Sequence, residues 1–247
     1  MLALSMRPRT VWRGVLAGLA FVAAGVQAAG AESLLEAMAA AIGPASARRA
    51  ITGLATRADC TGPRGAFTTE IVSHGDVVRF VQVRDSGRTA LLVTATAAFA
   101  RPADGAPMQA TTGPEAAFVR GHDVHRLLLD LEARVQVTTE DPATGCVEGT
   151  TAAGRIRLCR RAGLSAPSHM TLTSPGAQTP VVIEFSDWRR LHGVTLPFAI
   201  DYLQAGRRYI HRFVAVTPIT LPPAITLPAD PGAAFDRLGD LAASAGR

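Results

Sequence analysis

Three cysteines are the residues whose spacing most directly predicts chemistry in this chain, and an odd number allows at most one disulfide within it. The segment CVEGTTAAGRIRLC reads as a β-hairpin with TAAG, Thr151–Gly154, as its loop, and this register places Cys146 directly opposite Cys159. Cross-strand Cβ atoms at such positions lie about 4.5–5.5 Å apart and can close to bridging distance. We therefore predict a Cys146–Cys159 disulfide with Cys60 free, whereas a misread hairpin would leave two unpaired thiols.

His122 and His125 form an H-x-x-H pattern that invites a metal-binding interpretation. Helical metallohydrolase sites use an i, i+4 pair with a glutamate, and no third ligand lies nearby, so we interpret the pair as a polar helix face. Glu140 and Asp141 precede a PATG turn and are typical of turn chemistry. Nucleophile elbows, P-loops and dinucleotide-binding glycine motifs are absent from the sequence. We therefore predict no catalytic residue, no metal and no cofactor.

The N-terminal residues 1–31 have the pattern of a secretory signal peptide. The basic residues that open the segment are Arg7, Arg9 and Arg13. An apolar run of 13 residues, Gly14–Val26, follows, and small residues predict cleavage after Ala28 or Ala31. No cysteine follows the apolar run as a lipid-anchor site. The alternative to a cleaved signal peptide is that the segment stays uncleaved as a membrane anchor. We expect a periplasmic or secreted mature chain.

The basic residues of the chain are all arginine, 25 in number, and the chain contains neither lysine nor asparagine. With the abundant Ala and Gly, this bias indicates a GC-rich genome more simply than it indicates phosphate recognition. No basic block interleaves with aromatic residues, so we predict no nucleic-acid binding. No second long apolar run follows the N-terminal segment, so we expect no stable membrane span after its removal.

Segments with helical periodicity precede and interrupt a region of short, β-rich segments. The helices are predicted over Glu32–Gly43, Pro44–Leu54 and Gly121–Ala133. Turn signals between the β segments favour hairpins, and therefore an antiparallel sheet. The predicted strands cover 66–73, 76–83, 89–96, 115–120, 134–139, 145–150, 155–160, 168–173, 180–188, 195–203 and 207–216. A single domain over 32–217 is followed by a Pro-rich, then weakly helical tail over 218–247, which either packs on the outside or frays.

The hairpin FSDWRRLHGVTLPF, Phe185–Phe198, is the most specific motif of the chain. An aromatic-Asp-aromatic-Arg segment runs into a Gly-Val-x-Leu-Pro turn in LolA-like proteins, the periplasmic lipoprotein-carrier superfamily, and this stretch resembles that pattern. The matching residues are Asp187, Trp188, Arg189, Gly193, Val194, Leu196 and Pro197. The resemblance extends over roughly 32–216, although outside the last third it rests on the order of elements and on composition.

The resemblance implies an α+β, mainly β fold: a strongly curved antiparallel sheet, an incomplete β-barrel of about ten or eleven strands, with helices covering its concave face. Carriers of this superfamily hold acyl chains between the sheet and the helical lid. An unclosed barrel keeps edges and bulges where a missing N–H costs little, which would accommodate Pro197. The superfamily's arginine that holds the lid closed is not matched to any residue here.

Large apolar side chains on the predicted sheet and helices are the candidates for a ligand-binding cavity or lid. Ile183 and Phe185 share one strand face, and an ordinary core takes part of this surface in any fold. The candidate residues are Leu34, Leu35, Met38, Phe80, Leu127, Leu131, Ile183, Phe185, Phe198, Ile200 and Tyr202.

Three functions remain open on the sequence. The leading hypothesis is an exported, non-enzymatic carrier or sensor that binds lipid, lipoprotein acyl chains or another apolar ligand. The second is an envelope protein-interaction module whose concave face is completely filled. The third is an exported hydrolase with an unrecognised site, because a fold does not fix a function.

We predict that the mature chain begins at Ala29 or Glu32, because the basic segment, apolar run and small residues match the requirements of signal peptidase. Intact-mass measurement of the protein from a periplasmic fraction checks this. Membrane-bound protein that retains Met1 would contradict it.

Overall fold

The computed structural model describes residues 33–112, 119, 123–219 and 229–245. The predicted signal peptide and His122 lie outside the described residues, so both remain predictions. Of the strand predicted over 115–120, the structure describes only Val119, which is helical. The strand prediction is therefore wrong at that position.

One antiparallel sheet contains the thirteen strands of the described residues. They are β1 (Gly53–Gly62), β2 (Gly65–His74), β3 (Val77–Arg84), β4 (Gly87–Val93), β5 (Ala98–Arg101), β6 (Gln109–Ala110), β7 (Gln136–Asp141), β8 (Cys146–Thr151), β9 (Gly154–Arg160), β10 (Pro167–Thr173), β11 (Val181–Leu191), β12 (Val194–Gln204) and β13 (Arg207–Ile219). The strand order is β6-β5-β4-β3-β2-β1-β13-β12-β11-β10-β9-β8-β7, so the sheet has two ends and does not close. The predicted incomplete, mainly β barrel is confirmed.

The strand count exceeds the predicted ten or eleven because three strands, β1, β5 and β6, have no clear signal in the sequence. The sequence pattern assigns the start of β1 to the second helix and gives no strand signal for the rest, because GLATRADCTG has few β-branched and no aromatic residues. β5 and β6 have only four and two residues, too few to show a periodicity.

The helices of the described residues are α1 (Leu34–Ile42), α2 (Ala45–Ala50), α3 (Val124–Leu129), α4 (Leu131–Arg134) and α5 (Pro231–Ala245). A capping box begins α1: Ser33 accepts from the backbone N–H of Glu36, whose carboxylate accepts from the N–H of Ser33. The second predicted helix is shorter than expected, because the chain enters β1 at Gly53. The third is divided at Asp130 into α3 and α4.

The two faces of the sheet carry separate apolar layers. A main cluster joins α1, α3 and α4 to one face, and Leu54 belongs to it. The next residue, Ala55, belongs to an outer cluster that includes Phe235 and Leu238 of α5, as the two-residue period of a strand requires. The helix of the C-terminal tail therefore packs on the sheet.

The predicted hairpin register around the disulfide is confirmed. Thr151 pairs with Gly154, and Cys146 pairs with Cys159 across β8 and β9. These two cysteines form the disulfide, with Cα atoms 4.1 Å apart, and Cys60 is free and buried. The bridge fastens the hairpin next to the terminal strand β7.

Pro197 lies in β12 opposite Trp188 of β11. On its other side β12 pairs with β13 only from Ala199 onward, so Pro197 lies where the strand has a single partner and a missing N–H is tolerated. Its carbonyl oxygen accepts a hydrogen bond of 2.7 Å from Nε2 of the buried His125 in α3. A carbonyl can only accept, so this His125 nitrogen carries the proton.

We predict that stability falls between pH 6.5 and pH 4. Burial lowers the pKa of His125 and of His211 to about 4, because the apolar surroundings disfavour the imidazolium. The unfolded chain binds these protons near pH 6.5, so the full stability is present above that value and is lost as the pH falls towards 4. Each histidine contributes up to about 3 kcal/mol of this loss, at 1.36 kcal/mol per pKa unit.

Urea unfolding at several pH values checks this prediction. The double variant His125→Gln, His211→Phe keeps a donor for Pro197 and an aromatic ring at position 211, and it should show a flatter profile over this window. An unchanged pH dependence in the double variant would refute the assignment to these histidines.

Candidate ligand-binding cavity

A cavity of about 320 Å³ lies under α3 and α4, where the two flanks of the sheet approach each other. One flank contributes the β2–β3 turn and the end of β4, and the other contributes the β8–β9 turn and β10. Its apolar wall consists of Val78, Val93, Leu127, Ile156, Met170 and Leu172. The cavity is therefore lined by parts of both halves of the sheet.

Most of the polar side chains in the cavity wall lie towards the β2–β3 turn and the end of β4, whereas Thr151 lies on the opposite flank. Asp76 and Arg134 lie at the β2–β3 turn, Thr94 follows β4, and Asp123 precedes α3. Arg134 Nη2 donates to the carbonyl oxygen of Gly75 at 3.1 Å and to the carboxylate of Asp76 at 3.2 Å. These contacts connect α4 to the β2–β3 turn.

Arg48 of α2 is a buried guanidinium that joins three helices. Its Nε donates to the carbonyl oxygen of Gly43, which follows α1, at 2.9 Å, and its Nη1 donates to that of Leu129 in α3 at 3.1 Å. Two further bonds of 2.6 Å reach the carboxylate of Glu132 in α4, and they lower the pKa of Glu132. Arg48 thus satisfies two backbone carbonyl groups at helix ends.

Glu140 of β7 holds the other end of α1. Its carboxylate oxygens accept from the backbone N–H groups of Leu34 at 2.9 Å and Leu35 at 3.1 Å. An acidic group at a helix N-terminus satisfies N–H groups that have no partner within the helix. Asp141 does act in the turn, as predicted, by accepting from Ala143 and Thr144, whereas Glu140 has this separate role.

The structure places one of the predicted ligand-binding residues, Leu127, in the cavity wall. Phe80 packs in a smaller cluster with Val78 and Val93 and does not itself line the cavity. Phe198 is partly buried, with the Arg189 guanidinium 4.4 Å from its ring centre. The others lie in the main cluster: Leu34, Leu35, Met38, Leu131, Ile183, Phe185, Ile200 and Tyr202.

The described residues contain no group of three or more His, Cys, Asp or Glu side chains arranged to hold a metal. Burial raises the pKa of the Cys60 thiol to about 11, which keeps it protonated and unreactive at neutral pH. Among the same residues, no helix is long and apolar enough to span a membrane.

Sequence reasoning missed three polar residues around the cavity and its helices: Arg48, Asp123 and Glu140. Arg48 follows a Pro-Ala-Ser-Ala segment, and the sequence around it is the same as that around its exposed neighbour Arg49. Asp123 was noticeable only as the residue before an apolar helical run, which is an N-cap signal. The helix residues that Glu140 caps, and Leu129 and Glu132 beside Arg48, are remote in sequence, so no local signal distinguishes Glu140 and Arg48 from surface charges.

The fold is that of LolA-like proteins. A LolA superfamily protein from Nitrosomonas europaea superposes with a TM-score of 0.54 at 13% identity, covering 76% of this chain and 93% of that one. A DUF1329 family protein from Desulfovibrio piger superposes with a TM-score of 0.51 at 11% identity, covering 78% and 95%. No family model and no curated protein matches the sequence. The likeness is therefore one of fold.

We predict that Arg48→Met lowers the free energy of unfolding by about 2–4 kcal/mol, because the buried carbonyl groups of Gly43 and Leu129 lose their donor. The matched control is Arg49→Met, a neighbouring exposed position where the change should cost less than about 0.5 kcal/mol. Urea unfolding measures both. Equal effects of the two substitutions would contradict the role of Arg48.

Proposed function

We propose that this chain is an exported, non-enzymatic carrier or sensor that binds an apolar ligand in the cavity under α3 and α4. The observation that carries the proposal is the cavity itself, about 320 Å³, with Val78, Leu127 and Met170 among its apolar lining residues. Binding sites for small molecules are typically about 300–1,000 Å³ and mostly apolar, with few polar groups. The cavity lies at the lower end of this range.

The volume favours one short chain or ring system over several acyl chains. A methylene group is close in size to a water molecule, whose share of liquid volume is about 30 Å³. A cavity of about 320 Å³ therefore accommodates about ten such groups. Burial of each such group contributes about 0.8 kcal/mol. Association costs at least about 4 kcal/mol of the total. The remaining affinity suits a ligand that is taken up and released.

The contacts of the helices indicate the route of ligand access. α1 is held at one end by Glu140 and at the other by Arg48. Arg134 joins α4 to the β2–β3 turn through a partly exposed ion pair with Asp76, and such pairs contribute only about 0–1 kcal/mol. Opening of the cavity at the β2–β3 turn therefore costs less stability than releasing either end of α1.

Export is supported by the disulfide, because such bonds persist in oxidising compartments. The LolA-like fold is consistent with a carrier, and the resemblance described above implies the same placement of the ligand between helices and sheet. Together with the cavity, these features favour the carrier or sensor over the interaction module, for which the interior would be filled.

A fluorescent probe tests the proposal directly. The uncharged N-phenyl-1-naphthylamine should bind the mature protein with one site, and its fluorescence should rise on binding. Ala153→Trp should weaken binding at least about tenfold, because the partly buried Ala153 lines the cavity and an indole would occupy it. The matched control Ala143→Trp changes an exposed residue in the neighbouring hairpin turn and should bind as the unmodified protein does.

Two outcomes would contradict the proposal. Absence of probe binding by the folded protein would remove the ligand-binding function and favour the interaction module. Equal loss of binding in both tryptophan variants would place the probe elsewhere on the protein.

A further inference from the structure

The polar part of the cavity wall and the helix behind it contain an unequal number of acidic and basic groups. The charged side chains of this cluster are Asp76, Asp123, Asp130, Arg126 and Arg134. Two arginines thus face three aspartates, which leaves one negative charge without a counterpart when all five groups are ionised.

Both arginines are already engaged by partners other than Asp123. Arg126 Nε lies 2.8 Å from Asp130 Oδ2, and its Nη1 donates to the carbonyl oxygen of Ile51 at 2.7 Å. Arg134 Nε donates to the same Asp130 oxygen at 3.2 Å, and its Nη2 is shared by Gly75 and Asp76. The unmatched charge is therefore that of Asp123.

Asp123 is partly buried and lines the cavity. Its Oδ1 accepts a long hydrogen bond of 3.3 Å from the backbone N–H of Arg126, and no described cationic side chain forms an ion pair with it. Removal from water raises the pKa of the Asp123 carboxyl by more than the nearby arginines lower it, so the pKa lies above its usual value. A carboxyl in this position lacks the partner that buried charged groups normally have.

We propose that the ligand of this cavity is an apolar molecule with a protonated amine or another cationic nitrogen at one end, and that Asp123 binds this nitrogen. The inference rests on the proposed ligand-binding function and specifies the class of ligand. The apolar part contacts Leu127, Ile156 and Met170, while the nitrogen supplies the missing positive charge. One ligand then satisfies both the apolar wall and the unmatched carboxyl.

An acidic amphiphile fits the same cavity less well. Its head group would lie beside Asp123, and like charges in an enclosed site repel each other. Among the described residues, the guanidinium in the cavity wall is that of Arg134, which Asp76 and Asp130 already neutralise. A fatty acid would have to displace one of those carboxylates to gain an ion pair.

Competition against bound N-phenyl-1-naphthylamine tests the proposal with ligands of equal chain length. Decylamine, decanol and decanoate are titrated at pH 7, each below its micelle concentration. Decylamine should displace the probe at roughly 10- to 100-fold lower concentration than decanoate, which is the effect of one charge-assisted hydrogen bond. Decanol, which is uncharged, should lie between them.

The variant Asp123→Asn removes the charge and preserves the N-cap of α3, because asparagine caps helices as well as aspartate does. It should lose the preference for decylamine over decanoate. Asp240→Asn removes an exposed carboxylate from α5 on the other face of the sheet and should keep the preference.

Each outcome decides between the two proposals. If the unmodified protein binds the probe but decanoate competes as well as decylamine, the amine inference is wrong and the apolar-ligand function stands. If Asp123→Asn keeps the preference, Asp123 is not the partner of the nitrogen. If the probe does not bind at all, both proposals fail.

Discussion

The pairing of the first strand with the last, β1 with β13, joins two meanders into one sheet. It connects Gly53 to Ile219 and continues to Thr61 and Ile210, with a bulge between Arg57 and Ala58. Bulges bend and twist a strand, which favours the curvature of an unclosed barrel. β6 and β7 become the two ends of the sheet, and the chain between them contributes α3 and α4 to the face that the flanks enclose. The cavity exists because this pairing brings the flanks of both meanders under the same pair of helices.

Sequence reasoning succeeded where the determining interactions are local. The hairpin of β8 and β9 fixes its own register, so the Cys146–Cys159 bridge followed from counting residues across a four-residue turn. The capped helix α1 was recognised for the same reason. β1 was missed because it is stabilised by neighbours on both sides, one of them at the far end of the chain, and its own sequence is only weakly β-like.

The cavity could not be located from sequence because its position depends on curvature. An alternating pattern reveals which side chains point away from solvent, and Ile183, Ile200 and Tyr202 do lie in the main core cluster. The same pattern cannot tell a packed layer from a cavity wall. Phe80 packs beside Val78, yet only Val78 reaches the cavity. Leu127 reaches it because α3 crosses the space between the two flanks.

Asp123 illustrates how one residue can serve both the fold and the site. Its side chain caps α3 by accepting from the backbone N–H of Arg126, a role that Ser, Thr, Asn or Asp fills with similar stability. A neutral cap would serve the helix without the cost of enclosing a carboxylate. The surrounding arginines do not offset that cost by ion pairing, since Asp130 and Asp76 occupy them. Helix capping alone therefore does not account for aspartate at this position. The proposed binding of a cationic ligand would account for it, because the carboxyl would then be matched whenever the cavity is filled.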